Sequence, residues 1–104
     1  MRIISRGTLK AFWQKSEYKD AEQPLKEWYQ EARKADWKSP NNVKEHYGSA
    51  SIIANNRIVF NIAGNKYRLI VAMNYKYHCI YVCFVGTHKQ YDKINAAEVW
   101  SNDY

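Results

Sequence analysis

Three β-rich runs follow one another between residues 57 and 85, and they constrain the fold more than any other part of the chain. The runs are RIVFNI, KYRLIVAMN and CIYVCFV, and only a few residues separate one run from the next. The first connection contains Gly64 and Asn65, which suit the positive φ angles of a tight hairpin. These runs predict an antiparallel meander of three strands.

The N-terminal part of the chain predicts one strand and two helices. Residues 2–4 are a short apolar stretch typical of a strand. Apolar residues then recur at helical spacing over 8–16, which predicts a first helix. A second apolar stripe at i, i+3, i+4 and i+7 predicts a helix with Pro24 in its first turn and its end near Asp36.

The remaining segments are a long connection and the C-terminal end. Residues 38–56 are rich in Asn, Gly and Pro, which predicts irregular structure with one helical turn at 43–47. Thr87 and Gln90 form a capping-box pattern, so the last helix is expected to start at His88. Residues 95–104 predict a frayed tail.

The element order is therefore β-α-α-β-β-β-α, which is typical of a small α+β domain with its helices on one side of an antiparallel sheet. With 104 residues, the chain predicts one domain over 1–104. In the middle strand, alternate residues from Tyr67 to Met73 share one face, and alternate residues from Lys66 to Ala72 share the other.

The net charge and the cysteines limit which kind of partner and which cellular compartment the sequence favours. A net charge of +6 and a pI near 9.3 favour a polyanionic partner such as nucleic acid, although a merely soluble basic protein would have the same balance. No run approaches the ~20 apolar residues of a membrane span. Cys79 and Cys83 lie about 13 Å apart along a strand, too far for a disulfide. They predict free thiols in a reducing cytoplasm, with no metal site and no cofactor.

Three side chains carry the candidate chemistry. Arg68 lies in the middle strand on a mostly apolar face, where it needs either an acidic partner or a bound anion. His88 and Tyr91 share one face of the last helix, near an N-terminus that suits a phosphate. Metal-free RNA cleavage needs a proton acceptor, a proton donor and a fixed cation, and these residue types can supply them.

The spacing of these residues also admits an ordinary structural interpretation. His88 could be a surface residue, and Tyr91 could pack the last helix onto the sheet. Lysines such as Lys66 and Lys89 are most often solvated charges. The residues by themselves leave the two interpretations open.

The run RIVFNIAGNKYRLIVAMNY, followed by VCFVGTHKQYDKI, resembles the HigB toxins of bacterial type II toxin–antitoxin systems. The shared pattern is an Arg-hydrophobic-Val-Phe-Asn start, a Gly-Asn turn, a Tyr-Arg-Leu strand and a Gly-Thr-His-x-x-Tyr-Asp segment. It covers roughly residues 57 to 94, and the N-terminal half agrees more loosely. The resemblance implies a RelE-like fold, in which two N-terminal helices pack on a small antiparallel sheet and a short C-terminal helix follows.

The same resemblance implies an activity, that of an mRNA interferase. Such a toxin is an endoribonuclease that cuts messages on translating ribosomes without a metal and so inhibits translation. Arg68 would stabilise the charge of the transition state, His88 would transfer a proton, and Tyr91 would orient the RNA. The expected RNA-binding residues are Arg57, Asn61, Lys66, Lys89 and Lys93.

The implied partner is a HigA-like antitoxin with a helix-turn-helix domain, and operator DNA would be reached only through that antitoxin. Two other functions remain as alternatives. One is a non-catalytic RNA- or ribosome-binding inhibitor of translation. The other is a gyrase-poisoning relative, which the histidine and arginine disfavour because poisoning needs no acid–base pair.

Overall fold

The structure, a computed structural model, describes residues 1–100. Its elements confirm the predicted α+β fold class, and none of the helices within 1–100 is long and apolar enough to cross a membrane. In chain order they are β1 (Arg2–Ile4), α1 (Arg6–Trp13), a 3-10 helix (Ser16–Ala21), α2 (Glu22–Lys34), α3 (Pro40–His46), β2 (Ser51–Ile53), β3 (Arg57–Ile62), β4 (Tyr67–Asn74), β5 (Cys79–Thr87) and α4 (His88–Tyr91).

The five strands form one sheet in the order β1-β5-β4-β3-β2. The predicted meander is confirmed, because β3, β4 and β5 pair antiparallel in sequence. Its first hairpin turn has positive φ angles at Ala63 (54°) and Gly64 (68°). The sheet is nevertheless mixed, since β1 pairs parallel with β5, with Ile3 opposite Ile80. The short strand β2 adds antiparallel to β3 at the other edge.

One face of the sheet carries the main hydrophobic core. Leu9 and Leu25, from α1 and α2, are fully buried there together with Leu69 and Val71 of β4. The predicted alternation along β4 is therefore confirmed. Helix α1 ends earlier than its apolar pattern indicated, because the chain turns into the 3-10 helix at Ser16.

The opposite face of the sheet is also covered. Val59, Ile70, Phe84 and Val99 form a second buried cluster, against which the chain beyond β5 packs. The expectation that all helices lie on one side is therefore wrong for α4. Residues 95–100 are likewise packed on the sheet rather than frayed, whereas 101–104 lie outside the described residues. The physical reason is that the middle strands are apolar on both faces, so both faces need a cover.

The long connection contains more regular structure than its composition indicated. Helix α3 has seven residues and carries Pro40 in its first turn, where a proline fits because no amide hydrogen is needed there. Its Val43 is fully buried. Tertiary packing of one apolar side chain thus stabilises a helix in a segment of poor helix formers.

Candidate active site

The corner between β5 and α4 is built by close packing around Gly86. A Cβ atom at this position would lie 2.6 Å from Cζ of Phe84 and 2.7 Å from Oε1 of Gln90, so a larger residue would displace both side chains. The predicted capping box is present. The backbone N–H of Gln90 donates to Oγ1 of Thr87 at 3.1 Å, and the N–H of Thr87 donates to Oε1 of Gln90 at 2.9 Å.

This capping also changes what the helix end can bind. Helix α4 has only four residues, so its dipole is small. The amide hydrogens of Thr87 and Gln90 are already used by the box. The N-terminus of α4 is therefore a weaker phosphate site than the sequence indicated, and cationic side chains have to supply most of the attraction for an anion.

His88 is exposed on α4, and its closest polar partner is Asp92. The Nδ1 atom of His88 lies 3.1 Å from Oδ2 of Asp92, one helical turn further along the chain. A signal for this pair was present in the sequence, since residues at i and i+4 meet on a helix surface.

Arg68 lies on the sheet face that α4 covers, near the hairpin end of the central strand. It is paired in register with Asn61 on β3 and with Gly86 on β5. Its guanidinium donates to the carbonyl of Asn65 at 3.0 Å, and its Cζ lies 6.0 Å from the ring centroid of Tyr91. No carboxylate within residues 1–100 forms an ion pair with Arg68, so its charge is not neutralised by this part of the chain.

The structure thus brings Arg68 and Tyr91 into contact and carries His88 on the same turn of α4 as Tyr91. Tyr91 is half-buried and also packs against the second cluster, which is the structural role considered for it. A tyrosine in this position can do both, because it is only half-buried and part of its side chain stays accessible while the ring packs.

Four of the five predicted RNA-binding residues lie near these groups. Asn61 is half-buried beside Arg68, and Lys89 and Lys93 are exposed on and just after α4. Lys66 is exposed in the hairpin turn, but its ammonium forms an ion pair with Asp20. An anion that binds Lys66 would therefore have to compete with that carboxylate.

Arg57 does not belong to this group, and its burial argues against the predicted contact with RNA. It is 4% exposed and lies at the far end of β3, four residues and so about 13 Å from Asn61. Its Nη1 donates to the carbonyls of Ala96 at 3.1 Å and Val99 at 2.5 Å, and its Cζ lies 4.8 Å from the ring centroid of Trp100. Arg57 holds the C-terminal segment on the sheet.

A hydrogen-bond network that the sequence did not indicate supports the β3–β4 hairpin from the sheet face that carries the main core. Asp20, in the 3-10 helix, accepts hydrogen bonds from Lys66 and from the hydroxyl of Tyr67 at 2.5 Å. Tyr18 stacks on Phe12 at 4.4 Å and accepts from Nε2 of Gln90 at 3.4 Å. Nothing local marks these residues, because Asp20 and Lys66 are 46 positions apart in the chain.

The same contacts shift two ionisation equilibria in opposite directions. The hydrogen bonds from Lys66 and Tyr67 lower the pKa of Asp20 below its ordinary value of 3.8. Burial, followed by the hydrogen bond to Asp20, raises the pKa of Tyr67 to about 12. Around neutral pH, Asp20 is therefore a carboxylate and Tyr67 a neutral phenol that donates to it.

The ionised carboxylate of Asp20 contributes to the stability of the fold, and this contribution depends on pH. Because its pKa is lowered by folding, this contribution is complete above pH 3.8 and is lost as the pH falls through the lower folded-state pKa. We expect Asp20→Asn to be less stable than the parent at about pH 6, and the difference to shrink as the pH falls below the ordinary pKa of 3.8 and through the lower folded-state pKa. Urea denaturation at a series of pH values measures this.

Glu17→Gln is the control for that experiment. It removes a carboxylate from the same 3-10 helix that has no ion-pair partner within residues 1–100. The control should follow the parent at every pH. A difference between Asp20→Asn and the parent that does not change with pH would contradict the assigned role of Asp20.

Comparison with known proteins agrees with this arrangement. The fold is a mixed helix-and-sheet domain consistent with that of RelE-like toxins. The family model for HigB toxins, described as the RelE-like toxic component of a toxin-antitoxin system, matches residues 21–94. The chain therefore belongs to the HigB toxin family, and as the toxic component of such a system it has an antitoxin as its partner.

The match contains α2, α3, the meander and α4, and so Arg68, His88, Tyr91 and Asp92. The supporting residues Phe12, Tyr18 and Asp20 lie before its first residue. None of the curated proteins compared with the chain matches it. The assignment to the family thus rests on the family model together with the fold.

Proposed function

We propose that this protein is an mRNA interferase, a ribosome-dependent endoribonuclease that inhibits translation by cutting messages without a metal ion. The proposal rests on the environment of Arg68. It is a cation on a largely apolar sheet face, in contact with Tyr91, with no carboxylate partner within residues 1–100. A phosphate group of RNA is the anion that such a site would bind.

The proposed reaction is an internal phosphoryl transfer. The 2′-hydroxyl oxygen attacks the adjacent phosphorus and loses its proton to a base, while the bond from phosphorus to the 5′-oxygen breaks. The departing oxygen takes up a proton, and the products are a 2′,3′-cyclic phosphate and a 5′-hydroxyl end. The guanidinium of Arg68 stabilises the negative charge that grows on the phosphorus oxygens.

His88 is the proposed proton-transfer group. When its Nδ1–H donates to Asp92, Nε2 of the exposed ring keeps the lone pair that can accept a proton from the 2′-hydroxyl. Asp92 then orients the ring, as a carboxylate does for a catalytic histidine elsewhere. Tyr91 would position the RNA through the exposed part of its side chain, and Lys89 and Lys93 would bind backbone phosphates.

The proposed partner is a HigA-like antitoxin with a helix-turn-helix domain, which would connect the toxin to operator DNA. The proposed location is the cytoplasm, where translating ribosomes and the message are found. A neighbouring reading frame that encodes a small helix-turn-helix protein would support this arrangement.

Induction in growing cells tests the proposed function. We expect the parent chain to arrest growth and to generate new 5′ ends within messages, because each cleavage releases a 5′-hydroxyl fragment. The double variant Arg68→Ala with His88→Ala should allow growth and leave messages intact. Growth curves and mapping of message 5′ ends measure both effects.

Other outcomes would assign another function. A parent that stalls translation with intact messages is a non-catalytic inhibitor that acts by occupying the ribosome. A DNA-damage response that precedes any loss of message would indicate gyrase poisoning. A double variant that arrests growth as strongly as the parent would show that these two residues do not carry the activity.

A further inference from the structure

A basic cleft lies between α1, the 3-10 helix and the first turns of α2. Its volume is about 740 Å³, and it is open to solvent. Four cationic side chains line it, together with Gly7, Gln14, Trp13 and one carboxylate, that of Glu22. The cationic residues are Arg6, Lys10, Lys19 and Lys26.

The positive charge of this cleft is poorly compensated. Glu22 already forms an ion pair with Lys26, with 2.5 Å between the charged atoms. Within residues 1–100, no carboxylate forms an ion pair with Arg6, Lys10 or Lys19. Like charges held around a concave surface focus the electrostatic potential and attract an anion from solution.

Aromatic side chains hold two of the cations in position. The ammonium of Lys26 lies 5.7 Å from the ring centroid of Trp13, and Cζ of Arg6 lies 4.9 Å from that of Tyr29. A cation that is held over a ring in this way loses less conformational freedom when it binds a phosphate.

The cleft and the candidate active site share the 3-10 helix as a common neighbour. Lys19 lines the cleft, while its neighbours Tyr18 and Asp20 contact Gln90 of α4 and Lys66 of the hairpin. One short element therefore forms a wall of the cleft and a support of the site. A phosphate-binding surface on this element would therefore lie beside the candidate active site.

We propose that this basic cleft is a second phosphate-binding site, which holds the phosphodiester backbone of RNA beside the candidate active site. The inference rests on the proposed function, since RNA is the substrate there. An acidic protein segment is the other polyanion to consider, but it would need apolar contacts as well as charge. Trp13 is only 8% exposed and is partly covered by Lys26, so the aromatic ring in the lining offers little surface to an apolar side chain.

The test compares two double variants of equal charge. Lys10→Gln with Lys19→Gln removes two cations of the cleft, and Lys34→Gln with Lys76→Gln removes two exposed lysines elsewhere. Lys10 and Lys34 both lie in the last turn of a helix, so these two members of the pairs are matched in local structure. Binding is measured by fluorescence anisotropy with a 2′-O-methyl oligonucleotide, which cannot be cleaved, and by cosedimentation with purified ribosomes.

We expect the cleft variant to bind roughly 10- to 30-fold more weakly at about 0.1 M salt, with the slope of log K against log salt shallower by about 1.4, because two phosphate contacts are lost. The control pair should bind almost as the parent does. Weaker binding to the oligonucleotide would identify the bound RNA as the message strand. Weaker binding to ribosomes alone would identify it as ribosomal RNA.

Equal binding by the two double variants in both assays would overturn the inference. A defect of the cleft variant that is confined to poly-glutamate binding would also overturn it, and would assign the cleft to an acidic protein. Because the oligonucleotide is not cleaved, the assay is independent of catalysis. A parent chain that binds through the cleft but cuts no message would refute the proposed function and leave this inference intact.

Discussion

Replacing His88 with glutamine is expected to slow RNA cleavage by about 10²- to 10⁴-fold, the range typical of a lost proton-transfer group. Glutamine keeps a polar side chain on α4 but cannot act as a general acid or a general base at neutral pH. The affinity for RNA should remain close to that of the parent, because the side chain is exposed and the cationic groups are unchanged. Single-turnover cleavage of a message on programmed ribosomes measures the rate.

Asp92→Asn refines this prediction. The amide would no longer act as a negatively charged acceptor for Nδ1–H of His88, so the ring would be less firmly oriented. We expect a loss of rate between those of the parent and His88→Gln. A rate for Asp92→Asn equal to that of the parent would show that His88 works without this partner.

His78→Gln is the matched control for His88→Gln. His78 is also an exposed histidine next to an aspartate, with 3.6 Å between its Nδ1 and Oδ1 of Asp36, but it lies in the turn between β4 and β5. Its replacement should not change cleavage. Equal losses in the two variants would mean that the effect of His88→Gln is not specific to the candidate site.

Replacing Arg68 with alanine is expected to reduce the cleavage rate by about 10²- to 10³-fold, because a fixed cation that stabilises the transition-state charge is lost. Arg68→Lys should recover only part of the rate. A lysine keeps the charge, but it cannot reproduce the planar fork of donors that binds two phosphate oxygens at once. The same single-turnover assay measures both variants.

The fold should survive these changes, since Arg68 is half-buried and, within residues 1–100, its side chain donates hydrogen bonds only to the nearby carbonyls of Asn65 and Tyr67. Urea denaturation of each variant separates a loss of activity from a loss of structure. Arg33→Ala, at an exposed arginine of α2, is the control for charge. Full activity of a folded Arg68→Ala would remove Arg68 from the catalytic set.

Several parts of the fold could be predicted from local sequence because their signals are local. The meander follows from β-rich runs with short connections, and the corner at Thr87 follows from two residues three positions apart. Helix α2 follows in the same way from the spacing of its apolar residues. In each case the residues that decide the structure are close together in the chain.

Other parts depended on contacts that sequence spacing does not reveal. The parallel pairing of β1 with β5 joins residues more than seventy positions apart, and the burial of Val43 stabilises a helix in an Asn-rich segment. Arg57 is the clearest case. The sequence indicated a surface cation, whereas the structure surrounds it with the carbonyls of the C-terminal segment, which needs a donor once it lies on the sheet.

For this protein the sequence alone determined the α+β class, the meander, the capped start of α4 and the residues from which a site could be built. These depend on periodicity and on turn and cap chemistry, which act over a few residues. The tertiary structure decided which cations stay available. It buried Arg57, paired Lys66 with Asp20, left Arg68 without a carboxylate within residues 1–100, and assembled the basic cleft from α1, the 3-10 helix and α2. Whether a charge is neutralised depends on its neighbours in space, and only the packed chain defines those neighbours.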